Sequence, residues 1–456
     1  MDAEERFLEA VTEEDEEADG YLVHDQFTSR PDRLQHKNQS SIDGFLGNGK
    51  RMDAVIIVPR YYGELLTWAL HRYIEKEEWR VIRTLGYRKP EPVYIDVSTD
   101  HDKCENLLMD GQFLIEKDDL RFVVTVDVNL RWRNSVRLEG SASRKQEMDR
   151  FVQGVRTIAK DDNIYRSKKL EFAGRIRFLN LSARLWDSII LDPEVKMEVK
   201  ANTVDFLSKR DLWAKYGIPP KRGVLLAGEP GTGKTVICKA LLAEADKITC
   251  ITTNAYALDA DEYITELYEL AEDLSPSLVF IEDIDLIGQN RMEFGYHKRS
   301  PLVSLLAILD GIEEKKEVVT VATTNCLDVL DKAISERPSR FDRVIKLSRP
   351  SLEQRKELLK RLSQKIPLDE ATQEYIARQA ADCTPAQLQE IAFSLVIERS
   401  GDLPDIQPPC LKFSKDDIDS AISRINSKNR RRIGFGIENN HNGHKPDQIA
   451  GIGGRR

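Results

Sequence analysis

The sequence has few cysteines, and none of them are paired at metal-binding spacing. Six are spread over 456 residues, at Cys104, Cys238, Cys250, Cys326, Cys383 and Cys410. Without a CxxC motif or paired histidines, the sequence predicts neither a zinc site nor a disulfide framework. This cysteine usage favours a reducing compartment, so we expect a cytoplasmic protein.

The sequence also lacks long apolar runs. Runs such as AVIIV and SLVFI are far shorter than the roughly 20 residues that span a bilayer. The first residues, MDAEERFLEAVTEEDEEADGYLVHD, have neither the basic start nor the apolar stretch of a signal peptide. We therefore expect no membrane span and no secretion signal.

The chain also has fewer basic than acidic side chains. The chain has 68 Lys and Arg against 77 Asp and Glu, a formal net charge of -9. That balance argues against a surface that binds nucleic acid over its whole area, although a local basic groove remains an alternative. An apolar fraction of 41% is ordinary for a globular protein, and this length is enough for about two to four domains.

The first half of the chain changes character twice. Residues 1–52 are polar and charged, which predicts a disordered arm. Residues 53–182 combine period-two alternation from Phe122 to Trp132 with helical spacing from Met148 to Ile158, which predicts an α+β domain whose strand has one buried face. Residues 183–220 predict a helical linker that ends at prolines.

The second half has the alternation of an α/β fold. Apolar strands (GVLLAG, ITCITT, SLVFIED, VVTVATTN and RVIKL) alternate with helical stretches over residues 221–349, which predicts a parallel sheet covered by helices on both faces. Residues 350–425 have helical periodicity and predict a small bundle. Residues 426–456 are Gly-rich and basic, and we expect a disordered tail.

The segment GEPGTGKT satisfies the pattern GxxxxGK[ST] from Gly228 to Thr235. Backbone amides of such a loop bind phosphate oxygens, Lys234 reaches the β and γ phosphates, and the Thr235 hydroxyl binds Mg²⁺. An apolar strand precedes the loop and the helical TVICKALLAEA follows it, which is the context that the motif requires. ATP and Mg²⁺ are thus the expected cofactors; the alternative is a turn without a ligand. The residues assigned to the nucleotide here are Glu229, Pro230, Gly231, Thr232, Gly233, Lys234, Thr235 and Val236.

Acidic residues follow the apolar strand SLVFIEDID. Glu282, Asp283 and Asp285 lie at its carboxyl end, where ligands bind in open parallel sheets. One acid is expected to hold the metal and another to polarise the attacking water. The alternative is a solvated acidic turn.

Two further groups extend the predicted site. Asn325 ends the strand VVTVATTN, where a short amide can orient a water beside the γ-phosphate, although asparagine after a strand is also a common turn former. Arg337 and Arg340 in AISERPSRFDR precede RVIKL. They are either surface arginines or groups that stabilise charge on a phosphate bound by a neighbouring molecule.

Together these segments resemble an AAA+ ATPase from about Trp186 to Ile425. GIPPKRGVLLAGEPGTGKT is similar to the adenine-contact segment and Walker A, LVFIEDID to Walker B, ATTN to sensor 1, and AISERPSRFDR to the region with arginine fingers. The helix LLAILDGI is similar to that of the AAA clade proper. The resemblance implies a P-loop core with a helical lid after Pro350.

The same resemblance implies roles for individual residues. Ile218 lies near adenine, Asn325 senses the γ-phosphate, and Arg337 and Arg340 act on the ATP of the adjacent subunit. Because the family usually works as a hexameric ring, a homo-oligomer is expected.

Three departures from the family pattern stand out. The usual Asp-Glu of Walker B is Glu282 followed by Asp283, so the resemblance assigns the metal to Glu282 and the attacking water to Asp283. This order resembles the mitochondrial Rieske-protein assembly ATPases, as does TPAQLQEI. NAYALDADEY lacks the usual aromatic pore-loop pattern, so either Tyr256 or Leu258 substitutes for it or the segment is a surface turn. The lid motif is replaced by Thr384, Pro385 and Ala386.

Three functions remain open from the sequence. The first is an ATP-driven machine that remodels or translocates a protein client chosen by residues 53–182. The second is a regulatory or scaffold module with slow or absent turnover, suggested by the inverted acids. The third is a DNA-handling ATPase that uses the basic segment NRRRIGFG.

Overall fold

The computed structural model describes residues 32–128, 134–180, 186–258, 260–287, 301–311, 317–327, 341–366, 368–400 and 413–430. The chain divides into two compact units, one up to Arg349 and one from Pro350. Within the described ranges no helix is both long and apolar enough to cross a membrane.

The first unit contains two sheets and their helices. Its helices are α1 (Asp32–Leu46), α2 (Gly63–Lys76), α3 (Lys145–Asp161), α4 (Pro193–Ala201), α5 (Val204–Ser208), α6 (Arg210–Lys215), α7 (Lys234–Glu244), α8 (Asp261–Asp273) and α9 (Pro301–Gly311). Its strands are β1 (Arg51–Val58), β2 (Arg80–Leu85), β3 (Val93–Asp100), β4 (Lys103–Lys117), β5 (Leu120–Asp127), β6 (Asn134–Ser141), β7 (Lys169–Phe172), β8 (Ile176–Phe178), β9 (Arg222–Gly228), β10 (Thr249–Asn254), β11 (Ser277–Glu282), β12 (Val318–Thr324) and β13 (Arg343–Leu347).

The N-terminal sheet is antiparallel, in the order β1-β6-β5-β4-β2, and β3 also pairs with β4. Helices α2 and α3 cover one face. The spacing of Met148, Phe151 and Val155 predicts an amphipathic helix, and these side chains are buried on α3. Phe151 packs edge-on against Trp79 at 5.5 Å between ring centroids, so aromatic packing fixes the helix to the sheet.

Helix α1 corrects the prediction of a disordered arm over residues 1–52. Residues 1–31 lie outside the described part, but Asp32–Leu46 is helical and buries Ile42 against Leu114 and Val123. The sequence signal was weak because α1 buries few apolar side chains along a largely polar helix. Its packing also corrects the prediction for β5, which is buried on both faces rather than one, since Val123 is as inaccessible as Phe122.

The second sheet has the order β13-β9-β12-β11-β10-β7-β8. Neighbouring strands from β13 to β7 are parallel, and β8 is antiparallel to β7. Alternate residues of the central strands pack on opposite faces, with α7 on one face and α8 and α9 on the other. The predicted α/β fold with a parallel sheet is confirmed.

Strands β7 and β8 do not follow the predicted boundary at residue 182. That boundary assigns Lys169–Phe178 to the N-terminal domain, whereas β7 pairs in parallel with β10 of the second sheet. Alternation alone cannot reveal which sheet a strand joins. One hydrophobic core extends from Tyr62 and Phe122 of the N-terminal part to Ile251 and Leu267, so the two sheets share buried contacts.

The second unit is helical, as its periodicity predicts. It contains α10 (Leu352–Ser363), α11 (Glu370–Gln379), α12 (Pro385–Ser400) and α13 (Lys415–Arg430). Ser351 and Gln354 form a reciprocal capping box that starts α10. Helix α13 continues to Arg430, past the predicted end of the bundle at 425, and the rest of the expected tail lies outside the described residues.

Candidate functional site

The predicted phosphate loop lies between the central strand β9 and α7. Gly231 and Gly233 have φ angles of 85° and 103°, a left-handed region that strains other L-residues. Gly233 immediately precedes α7, whose first N–H groups have no partner within the helix. The backbone therefore has the turn and the amide donors that bind an anion.

Lys234 is held inside this loop. It is buried, and its Nζ donates to the carbonyl oxygens of Gly228 at 2.7 Å and Glu229 at 3.1 Å. Burial lowers the pKa of Lys234, and the negative charges of Asp283 and Asp285 oppose this shift. The ammonium is thus placed between the loop and the acids that follow β11.

Asp283 and Asn325 are joined directly, at the ends of adjacent parallel strands. The Asn325 amide nitrogen Nδ2 donates to Asp283 Oδ1 at 2.9 Å, and the Asp283 backbone N–H donates to Thr323 Oγ1 at 3.0 Å. Asp283 has φ 54° and ψ 52°, a conformation that is uncommon outside glycine and is associated with functional sites. The predicted water-side acid and the predicted sensor amide therefore lie in one hydrogen-bonded pair.

Asp285 has a different role from its two acidic neighbours. It is buried, and its Oδ1 accepts from Thr324 Oγ1 at 2.8 Å and from the Asn325 backbone N–H at 3.1 Å. These bonds position Asn325, whose side chain donates to Asp283. The sequence placed Asp285 beside Glu282 and Asp283, since all three follow one strand, without giving it a role of its own. Only the fold shows that Asp285 orients Asn325.

Glu282, the predicted metal-side acid, is half-buried at the last position of β11. It lines a cavity of about 160 Å³ with Cys238 of α7 and Thr253 of β10. Burial, and next the charge of Glu282, raise the pKa of the Cys238 thiol above its usual range. Thr235, one turn before Cys238, is exposed.

Glu229 forms an ion pair that sequence reasoning missed. Its carboxylate accepts two-pronged hydrogen bonds from Arg349, with Nη2 2.9 Å from Oε2 and 3.1 Å from Oε1. The partners are 120 residues apart, so no local pattern could have found the pair. It links the phosphate loop to the end of the first unit.

The remaining predicted residues are placed as follows. Ile218 follows α6, is 38% exposed, and its N–H donates to the Trp213 carbonyl at 3.0 Å. Tyr256 lies in a short 3-10 turn after β10 and is 69% exposed. Arg337 and Arg340 lie outside the described residues.

Comparison with known proteins identifies this region. Residues 224–349 match the family described as ATPase family associated with various cellular activities (AAA). The chain is similar to the Cell division cycle protein 48 homolog of Archaeoglobus fulgidus, with 39% identity over 170 residues, 36% of this chain and 23% of that protein.

A second relative covers more of the chain. The proteasome-activating nucleotidase of Methanocella arvoryzae is 34% identical over 255 residues, which is 53% of this chain and 58% of that protein. The chain thus spans from about a quarter to somewhat over half the length of these curated relatives.

Among solved structures, the crystal structure of the FIGL-1 AAA domain in complex with ADP is matched at a TM-score of 0.43 and 20% identity, over 55% of this chain and 91% of that chain. The family match falls on the parallel sheet that carries Lys234, Asp283 and Asn325. Residues 224–349 therefore match an AAA-family ATPase domain, and over about half of its length the chain is similar to a proteasome-activating nucleotidase.

Proposed function

We propose that this domain hydrolyses ATP with Mg²⁺ and uses the energy to remodel or translocate a protein client. One observation carries the proposal. Lys234, Asp283, Asn325 and Asp285 meet beyond the carboxyl ends of β9, β11 and β12 and are connected by direct hydrogen bonds or by charge. That edge of a parallel sheet is where nucleotides bind.

The residues present are suited to a nucleotide and a hard cation. The glycine turn and the N-terminus of α7 offer amide donors for phosphate oxygens, and Lys234 adds a positive charge. Ile218 is proposed to contact adenine. Thr235 and Glu282 would hold Mg²⁺, because hydroxyl and carboxylate oxygens are its preferred protein ligands; the bound ion would supply neutralisation of phosphate charge.

Asp283 is proposed to accept the proton of the attacking water. Asn325 donates to Oδ1 of this carboxylate, which fixes its orientation and leaves Oδ2 to act as the base. Asp285 holds Asn325 in place by accepting a hydrogen bond from its backbone N–H. Since phosphoryl transfer depends mainly on positioning and charge, this chain of contacts is the part of the site that sets the rate.

The active assembly is proposed to be a ring, with Arg337 and Arg340 of one subunit completing the site of the next. The similarity to a proteasome-activating nucleotidase supports a protein client. Tyr256 is exposed in the turn that follows β10, where an aromatic side chain can contact such a client. A cytoplasmic location and the relation to the Rieske-protein assembly subgroup stay predictions.

A slow nucleotide switch is the second candidate. Asp283 is one methylene shorter than the glutamate usual at this position, and Asn325 already occupies one of its oxygens. A shift of about 1.5 Å in the base can slow a reaction by about 10²-fold. In that case ATP binding, rather than hydrolysis, would control the client.

The deciding experiment measures ATP affinity and steady-state turnover of the full chain over a range of protein concentrations. Lys234→Ala should weaken ATP binding by about 10- to 100-fold, because a charge-assisted contact of about 1.5–3 kcal/mol is lost. Lys200→Ala is the matched control, since it removes a half-buried pair with Glu244 at the far end of α7, away from the phosphate loop.

Turnover per subunit that rises with concentration supports sites completed between subunits. Tight binding without turnover favours the switch. An unchanged ATP affinity in Lys234→Ala contradicts the assignment of the loop.

A further inference from the structure

Arg60 connects the N-terminal sheet to α8, the helix that follows the Tyr256 turn. Its guanidinium binds Glu266 in two-pronged fashion, with Nη2 2.7 Å from Oε2 and Nε 2.8 Å from Oε1. The same group lies 4.3 Å from the centroid of the Tyr263 ring. Arg60 thus combines a paired charge with a cation–π contact on two successive turns of α8.

The backbone of Arg60 is fixed on the N-terminal side. Its carbonyl accepts from Asn134 Nδ2 at 2.9 Å, and Asn134 is fully buried at the start of β6. A Cβ on Gly63 would lie 2.4 Å from the same Nδ2 atom, so β6 and the start of α2 pack at the closest possible distance. Arg60 is therefore a rigid attachment to the N-terminal sheet.

The far end of α8 is held as well. Arg166 precedes β7, and its Nη1 and Nη2 donate to the carbonyl oxygens of Ser275 and Asp273, each at 3.1 Å. These carbonyls end the helix and its following turn, where a cation is favourable. Arg60 beside the N-terminal sheet and Arg166 in the segment that leads into β7 thus hold α8, one at its middle and one at its end.

The Arg60–Glu266 pair is too well shielded to be an ordinary surface contact. Both side chains are 19% exposed. Burial raises the pKa of Glu266, and the hydrogen bond from Arg60 opposes that shift. Removing either partner would leave the other charge poorly solvated, so the pair resists separation.

We propose that Arg60 is a positioning residue that holds α8, and the Tyr256 turn ahead of it, to the N-terminal sheet. The N-terminal sheet with α2 and α3 and the Tyr256 turn then engage a client as one body, instead of the N-terminal sheet acting as an independent arm. This rests on the proposed function and adds how its client-contacting parts are connected. Tyr256 lies five residues before the first residue of α8. Fixing the helix therefore limits the movement of the Tyr256 turn.

Hydrogen exchange of the full chain with ATP tests the proposal. Arg60→Ala and the nearly isosteric Glu266→Gln should each speed exchange in residues 254–273 by about tenfold or more, because a buried ion pair is broken. Exchange in residues 228–236 should stay unchanged. The double variant Arg60→Glu with Glu266→Arg should recover much of the protection.

Turnover gives the second readout. Arg60→Ala should keep the KM and basal kcat for ATP within about twofold, since the phosphate site is untouched. It should lose stimulation by reduced, carboxymethylated α-lactalbumin, used here as an unfolded probe. Arg72→Ala is the matched control, because Arg72 of α2 pairs with Glu75 of the same helix and with Glu105 of β4, and neither partner lies on α8.

Unchanged exchange in residues 254–273 of Arg60→Ala, or full stimulation by the probe in that variant, would overturn the role of Arg60. A wild-type protein that neither hydrolyses ATP nor responds to the probe would instead overturn the proposed function, and the exchange comparison would still decide whether Arg60 positions α8.

Discussion

At the scale of residues, the hydrogen bond between Asn325 and Asp283 orients the carboxylate that is proposed to act as the base. Nδ2 of Asn325 lies 2.9 Å from Oδ1 of Asp283, and the backbone of Asp283 is held in a left-handed conformation by a bond to Thr323. This backbone turns the short carboxylate toward Asn325. The inverted order Glu282–Asp283 thus belongs to a site whose neighbours are arranged for the shorter acid.

Restoring the usual order tests that arrangement. The double substitution Glu282→Asp with Asp283→Glu should lower kcat by about 10-fold to 10²-fold, because each carboxylate moves by about 1.5 Å from its partners. Steady-state turnover at saturating ATP measures the effect, and Glu244→Asp at the far end of α7 is the control. A clear gain in kcat would show instead that the native pair restrains hydrolysis.

His71 gives a prediction about stability and pH. Burial lowers its pKa to about 4, and its Nε2 accepts from the Leu108 backbone N–H at 3.3 Å. The unfolded value is about 6.5, so the folded state prefers the neutral ring. Its contribution to the free energy of unfolding is complete above pH 6.5 and is lost as the pH falls toward 4.

The comparison of wild type with His71→Gln isolates this contribution. Between pH 7 and pH 4.5 the wild type should lose about 2–3 kcal/mol more than the variant, whose amide oxygen can accept the same bond without titrating. Urea unfolding at each pH measures it. The raised pKa values of Glu64 and Glu266 act in the opposite direction but are common to both proteins. If the unfolding free energies of wild type and His71→Gln change in parallel with pH, His71 does not contribute to the pH dependence.

The sequence predicted the positions of individual residues in the fold better than their partners. Lys234, Asp283 and Asn325 lie at strand ends where the local motifs place them, and their chemistry stays a prediction. The Glu229–Arg349 and Arg60–Glu266 pairs join residues 120 and 206 positions apart. Such pairs depend on how elements are packed, and spacing along the chain carries no signal for them.

At the scale of elements, the parallel strands were predictable because they are apolar on both faces and follow helical stretches. Helix α1 was missed because Ile42, Phe45 and Leu46 are its main packing contacts on the sheet. The hairpin β7–β8 lies within the range predicted as the α+β domain but pairs with the second sheet. In both cases the sequence does not show which neighbouring element packs against a given face or edge.

The packing of α1 can be tested by Ile42→Ala. Ile42 is 4% exposed and contacts the same cluster as Leu114 and Val123, so its truncation should cost about 2–4 kcal/mol of unfolding free energy. Urea unfolding followed by circular dichroism measures the loss. Gln39→Ala on the exposed side of α1 should change little; a variant at Ile42 as stable as wild type would contradict the packing.

At the scale of the whole molecule, the negative charge is very unevenly distributed. Residues 1–31 contain 11 acidic residues and 2 arginines, a balance of -9 that equals the net charge of the chain, so residues 32–456 are neutral with 66 of each sign. The total charge is therefore a weak argument against nucleic acid. Turnover stimulated by DNA with a steep salt dependence would favour the third function.

The proposed ring predicts complementation between two inactive variants. Lys234→Ala lacks a phosphate contact but keeps Arg340, whereas Arg340→Ala keeps Lys234. If the arginine acts on the neighbouring subunit, random mixing in equal amounts should restore about a quarter of the sites. Each variant alone should be nearly inactive. ATP turnover against mixing ratio measures this, and a mixture that is no more active than its components would contradict the arrangement.

The pairing of β7 with β10 has a practical consequence for dissecting the protein. A fragment that begins after residue 185 would keep the whole family match at 224–349 but lose β7 and β8, and with them the hydrogen-bonding partners of Cys250, Ile251 and Thr252. Those residues would then form an open, apolar sheet edge, which promotes aggregation. Insolubility of the isolated domain would therefore report a missing strand and not a defective nucleotide site.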